Sequence, residues 1–234
     1  MRNVTQIFKK EFGGYFISPI AYIVISIFLV LTGWFFFSTF FLYNQADLRN
    51  FFSLLPLTFS FVIPAVTMRL FSEEFNSGSY ELLLTMPVSS TDIVLGKFLA
   101  AVAFVAVMLL PTLSYGACIS FLGDLDVGPL IGGYVGAILL GAAFSAIGLF
   151  ASALTHNQII AFISGMAVCF SLTLLDKMLI FLPKSLLSVF QFLSADSHFQ
   201  NIARGIIDSR DVLYFLSLAF VMLYGTHLAV DEMN

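Results

Sequence analysis

Three groupings of polar side chains in this sequence could carry chemistry. His156, His198 and His227 are its histidines; they fall far apart, on a short turn, a loop and the end of a last apolar run, so no metal-ligand spacing joins them. Gly96-Lys97 matches the end of a phosphate-binding loop. Yet Phe98 stands where Ser or Thr is required and Thr91 where the first glycine must be, so the chain does not hydrolyse ATP by that route. The third grouping is an acidic, turn-rich island, residues 69–97, with carboxylates at Glu73, Glu74 and Glu81. No catalytic constellation survives, and the island is where the chain meets something in water.

The elements around the island are built for lipid. Of 234 residues, 59% are hydrophobic and 10% charged, and the mean hydropathy is +0.99; soluble domains carry about 25% charged residues. Charges avoid Phe12 to Ala46, Asn50 to Met68, Phe98 to Gly123, Val127 to Leu175 and Val212 to Val230. A span needs about 20 apolar residues, and the fourth stretch is long enough for two. Six spans are predicted near 20–43, 51–68, 97–122, 129–153, 159–176 and 212–230. They must be helices, since a backbone in hydrocarbon pairs its own polar groups, and the short alternating strands of a lipid-embedded barrel are absent.

Net charge is -4, without a basic patch for nucleic acid. With the N-terminus inside, Arg2, Lys9, Lys10, Arg69 and Lys97 face the cytoplasm while Arg49, Lys177, Lys184, Arg204 and Arg210 face out. That count is even. The first span breaks the tie, with three basic residues before it and one after, and places the N-terminus inside. No cleavable signal is read at the N-terminus. Cys118 and Cys169 fall inside spans, as small apolar residues.

Val4, Ile7, Phe8, Phe12 and Tyr15 recur at helical spacing, so residues 1–18 are expected to form an amphipathic elbow helix along the membrane surface. Pro56 and Pro64 favour kinks in the second span. Ser89-x-x-Asp92 is a capping pattern that starts the third span near Ser90, and Pro111, Thr112, Ser114 and Gly116 make its middle irregular. Gly132, Gly136, Ala137, Gly141 and Ser145 give the fourth span a ridge of small residues for close helix packing, against a neighbour that the pattern leaves open. Thr155 to Gln158 closes a tight hairpin between spans four and five. Residues 177–211 hold one or two short outer-surface helices, with Leu182, Leu186, Val189, Phe190 and Leu193 on one face. No buried charge of the kind that marks an ion-coupled carrier is evident: Asp176 and Lys177 stand at a span edge, and Lys97 precedes the lipid-facing run.

Within the island, Asn76-Ser77-Gly78 must end one helix, and Tyr80 to Leu84 can form another before Pro87. A short helix held between two span ends is a lever. Glu73-Glu74, Gly78-Ser79, Glu81-Leu82-Leu83-Leu84, Pro87-Val88 and Gly96-Lys97, with His198-Phe199, Arg204-Gly205-Ile206-Ile207-Asp208 and Asp211-Val212-Leu213-Tyr214-Phe215, resemble the permease subunits of type-2 ATP-binding-cassette (ABC) exporters. The later phrases are similar to the branch holding gliding-motility (GldF-like) and nitrous-oxide-reductase maturation (NosY-like) permeases.

The resemblance implies an all-α membrane protein, a single permease domain over residues 1–234 with six transmembrane helices. It implies a cytoplasmic coupling helix between spans two and three, with Glu73, Glu74, Gly78, Ser79, Glu81 and Leu82 touching or shaping the contact with a separate ABC ATPase. ATP and magnesium would belong to that partner, and this chain would need no cofactor of its own. A second permease copy, identical or related, and a bacterial inner membrane complete the expectation. His198, Phe199, Arg204, Gly205 and Asp208 would belong to an outer gate. Two other expectations stand beside export: a scaffold passing ATPase motion to a motility or maturation machine, and an ion-coupled carrier working alone.

Overall fold

Long apolar runs that must satisfy their own backbone give rods, and a computed structural model, which describes residues 2–43, 48–80, 88–122, 126–178, 184–206 and 208–232, is built from them. In chain order they are α1 (Arg2–Ile17), α2 (Pro19–Tyr43), α3 (Arg49–Thr67), α4 (Arg69–Ser77), α5 (Ser90–Leu109), α6 (Leu113–Leu122), α7 (Val127–Ala153), α8 (Gln158–Met178), α9 (Lys184–Leu193), α10 (Ala195–Ala203) and α11 (Ser209–Asp231). Among the described residues there is no strand. Six helical rods among the described residues are long and apolar enough to cross a membrane: Pro19–Ser38, Arg49–Ser77, Ser90–Phe121, Val127–Ala153, Gln158–Met178 and Ser209–Asp231. The second is longer than expected, because α3 runs through Met68 into α4 and carries the rod into the acidic island.

The rods are arranged around α7. Its apolar window is 72% buried, against 22% for α2 and α8 and 17% for α11, so α7 is the central post and those three form the outer wall. The glycine ridge makes this possible, and its neighbours lie in the same chain. A β-carbon on Gly132 would strike the Ile202 carbonyl of α10, one on Gly133 the Phe52 ring of α3, one on Gly141 the Val105 side chain of α5, and one on Gly148 the Thr67 hydroxyl. α1 lies outside the rods and packs along α5.

Pro111 has no N–H for the carbonyl of Val107. There the rod tightens to a 3-10 turn at Leu110–Thr112, and the Leu110 N–H is shared between the Ala106 and Val107 carbonyls. Ser89 caps α5 by accepting from the Asp92 N–H at 3.2 Å, as its spacing predicts. One end of the bundle, the N-terminal end, gathers α1, α4, the start of α5, the α7–α8 turn and the end of α11, where the Ser90 hydroxyl meets Asp231 at 2.9 Å. The far end carries α9 and α10, two short helices where one or two were expected within 177–211.

Candidate functional site

The site grows from one serine. A helix that restarts leaves its first N–H groups without partners; at the α3–α4 junction, Ser152 of α7 supplies them. Phe71 and Ser72 both donate their N–H to Ser152 Oγ at 3.1 Å, and that hydroxyl donates onward to the Met68 carbonyl at 2.7 Å. The Ser72 hydroxyl donates to the same carbonyl. α4 is thus pinned to the central post at its start, and it ends at Gly78, whose φ of +69° is the left-handed cap that Asn76-Ser77-Gly78 predicts.

α4 is amphipathic. Leu70 and Phe71 are buried, Phe75 stacks on Phe71 and meets the Tyr80 ring edge-on, and Phe75 also touches His156 of the α7–α8 turn. On the same inner side the helix meets a charge cluster. Lys97 of α5 is wholly buried; its Nζ donates to the Leu70 carbonyl at 2.6 Å and to Glu11 Oε1 at 3.1 Å. It also lies 2.9 Å from Glu74 Oε2, an ion pair rather than an aligned hydrogen bond, and 5.1 Å from the centre of the Phe71 ring. Lys10 of α1 closes the cluster on its solvent side, 3.3 Å from Glu74 Oε1 and 3.6 Å from Glu11 Oε1. Burial works against the Lys10 charge, but Glu74 and Glu11 outweigh it and hold its pKa above the usual 10.5.

A cleft of about 470 Å³ opens beside the cluster between α1 and α4. Arg69 and Glu73, one helical turn apart, pair along its α4 wall at 3.4 Å. The Tyr15 ring packs against Phe104, and its hydroxyl is buried without a hydrogen-bond partner. Burial first, and the nearby Glu11 second, push that hydroxyl's pKa well up.

The structure separates the predicted coupling residues by what they touch. Glu73 is exposed, with Asn76, Ser77 and Gly78, while Ser79 is half-buried and hydrogen-bonded to Ser77 at 2.8 Å. Glu74 turns inward and joins α4 to α1 and α5. Glu81 and Leu82 lie outside the described residues.

At the far end, the His198 ring lies between Asp211 and the Phe192 carbonyl, with Nδ1 at 2.5 Å and Nε2 at 2.9 Å respectively. It stacks on Tyr214 at 4.1 Å, and the Tyr214 hydroxyl donates to the Leu193 carbonyl at 2.6 Å. The last two carbonyls of α9 are therefore held by α10 and α11. Phe199 is fully buried against Gly136. Arg204 caps the end of α10, Gly205 takes a φ of +86° where it passes Gly128, and Asp208 caps α11 by accepting from the Arg210 N–H. Lys177 is 2.9 Å from Asp196, and Ser197 donates to Asp176 at 2.7 Å, tying α8 to α10.

Two features escape a linear reading. Lys97, placed by spacing in the water-side turn before the lipid-facing run, lies inside the protein; the signal for it was an acid near the water-side end of two other apolar runs, Glu11 before the first and Glu74 six residues past the second. Asp211, quoted only within a motif, is the partner of His198. A family model described as "ABC-2 family transporter protein" matches residues 41–226. No curated protein matches the chain.

Proposed function

Because the chain belongs to the ABC-2 family of transporter proteins, a family of membrane components served by an ABC ATPase, we propose that α4 and the segment after it receive the motion of a separate ATPase subunit and pass it to the rods. One observation carries this: α4 is locked on its inner side to α1, α5 and α7, while Glu73, Asn76, Ser77 and Gly78 stay exposed. A docked partner that pushes α4 bears on three elements at once, since α4 contacts each of them. In this reading Glu73, Gly78, Ser79, Glu81 and Leu82 form or shape the contact, and Glu74 transmits it. α1 is the elbow at the cytoplasmic surface of a bacterial inner membrane, and a second permease chain completes the path.

The test co-expresses the chain with candidate ATPase subunits and replaces Glu73 and Glu81 together by Ala. Loss of co-purification and of permease-stimulated ATP turnover is expected; unchanged values overturn the assignment. A cysteine placed by Asn76→Cys should react with a membrane-impermeant maleimide in inverted vesicles and not in intact cells, and the reverse pattern overturns the orientation.

The phrases around His198 and Asp211 favour the gliding-motility and maturation branch, so a scaffold that relays ATPase motion is the second reading. ATP turnover without solute accumulation in inverted vesicles selects it.

A further inference from the structure

The cleft between α1 and α4 holds two groups to which ATPase coupling gives no role, Tyr15 and Arg69. Its walls bring together Lys10, Glu11, Tyr15, Arg69, Glu73 and Glu74. With Lys97 behind them the charges are three positive and three negative, so a purely anionic or purely cationic occupant would unbalance the site. The Tyr15 residue is only 6% exposed, yet its hydroxyl donates to nothing; a buried hydroxyl without a partner is costly and is satisfied by an acceptor that enters the cleft. Arg69 Nε lies 3.4 Å from Glu73, and a guanidinium has five N–H donors in a plane that suits phosphate. Glu73 is an exposed carboxylate one turn along the same helix.

One wall is apolar and leads toward lipid. Ile17 lines the cleft and is 88% exposed, and the exposed Ile20, Ile23 and Ile27 continue along α2, one of the rods with little protein cover.

We propose that this cleft binds the phosphoethanolamine headgroup of a membrane phospholipid, with the phosphate on Arg69 and Tyr15, the ammonium on Glu73 and the acyl chains along α2. The ammonium has three N–H donors for the carboxylate. A choline headgroup has none, and a glycerol headgroup brings no positive charge. The inference needs only the membrane-spanning fold; because it is tested on the permease alone, its failure and that of the ATPase contact at Glu73 are read separately.

The purified full chain is titrated with phosphatidylethanolamine, phosphatidylcholine and phosphatidylglycerol of matched acyl chains, and bound lipid is counted by native mass spectrometry. Phosphatidylethanolamine should be retained roughly tenfold over the other two, the ratio that one charge-assisted hydrogen bond gives. Glu73→Gln should bring it down toward phosphatidylcholine, and Tyr15→Phe should weaken both phospholipids through the shared phosphate. Equal retention of phosphatidylethanolamine and phosphatidylcholine, preference for phosphatidylglycerol, or wild-type retention in both variants overturns the proposal. So does soluble phosphoethanolamine that binds as tightly as the lipid, since the site would then take a free solute. Should Tyr15→Phe fail to fold, the wild-type comparison and the exposed Glu73→Gln variant decide.

Discussion

Lys97 and Lys10 touch the same two carboxylates and differ in exposure, and that difference sets their worth. The side chain of Lys97 is 1% exposed and those of Glu11 and Glu74 are 15% and 12%. Lys97→Gln leaves two nearly buried carboxylates with only the solvent-exposed Lys10 between them and should destabilise the protein by about 3 kcal/mol, the lower end of the cost of breaking a buried pair from one side. Lys10, 63% exposed, is screened by water, and Lys10→Gln should cost no more than about 1 kcal/mol. Thermal unfolding of the two variants in one detergent, followed by loss of the monodisperse gel-filtration peak, checks the order. Lys10 also has a pH signature. Its pKa is higher in the folded state than in the unfolded one, so its contribution is complete below about pH 10.5 and is lost as pH rises through the folded value. The stability gap between wild type and Lys10→Gln should be flat from about pH 7 to 9 and narrow only beyond 10.5.

At the scale of the element, α4 is defined by a cap at each end. Ser152→Ala removes the acceptor of two N–H groups and the donor to Met68, and should cost about 0.5–2 kcal/mol, in the range of a lost helix cap. The loss is local. Amide exchange at Phe71 and Ser72 should accelerate more than exchange along α7. At the other end, a β-carbon on Gly78 meets nothing within 4 Å, so only its φ of +69° resists substitution. Gly78→Asn should be nearly neutral, because Asn tolerates the left-handed region, whereas Gly78→Val should shorten or fray α4. Helical content and ATPase co-purification measured for both variants would separate strain from lost contact.

For the molecule as a whole, a single chain covers its rods unequally. α7 is enclosed; α2, α8 and α11 present bare apolar faces, including Ile23, Trp34, Ile163, Leu213 and Phe220. In a membrane such surface faces lipid, and it is where the proposed second permease would pack. Cys118 is exposed in α6 and Cys169 is buried in α8, so a lipid-soluble maleimide should label Cys118 in the folded protein and reach Cys169 only after denaturation. Labelling of both at similar rates would show that α8 does not pack against α3 and α7.

Local and compositional signals were enough for the six rods, the Ser89 cap, the Gly78 stop and the presence of short helices after α8, because each depends on neighbours in the sequence or on the uniform demand of hydrocarbon for paired backbone; the family came from the resemblance of its motifs. The second span was expected to end at Met68 and its helix at Asn76-Ser77-Gly78, and α4 fills that interval, since the first charge marks where lipid stops favouring the chain and not where the helix stops. What only the tertiary structure decided was partnership. The glycine ridge of α7 could have faced another copy, Lys97 could have pointed to water, and His198 had no evident companion. Those outcomes depend on which residues 13, 81 or 86 positions apart come within 3.1 Å, a distance that the packing of rods sets and that spacing along one rod does not contain.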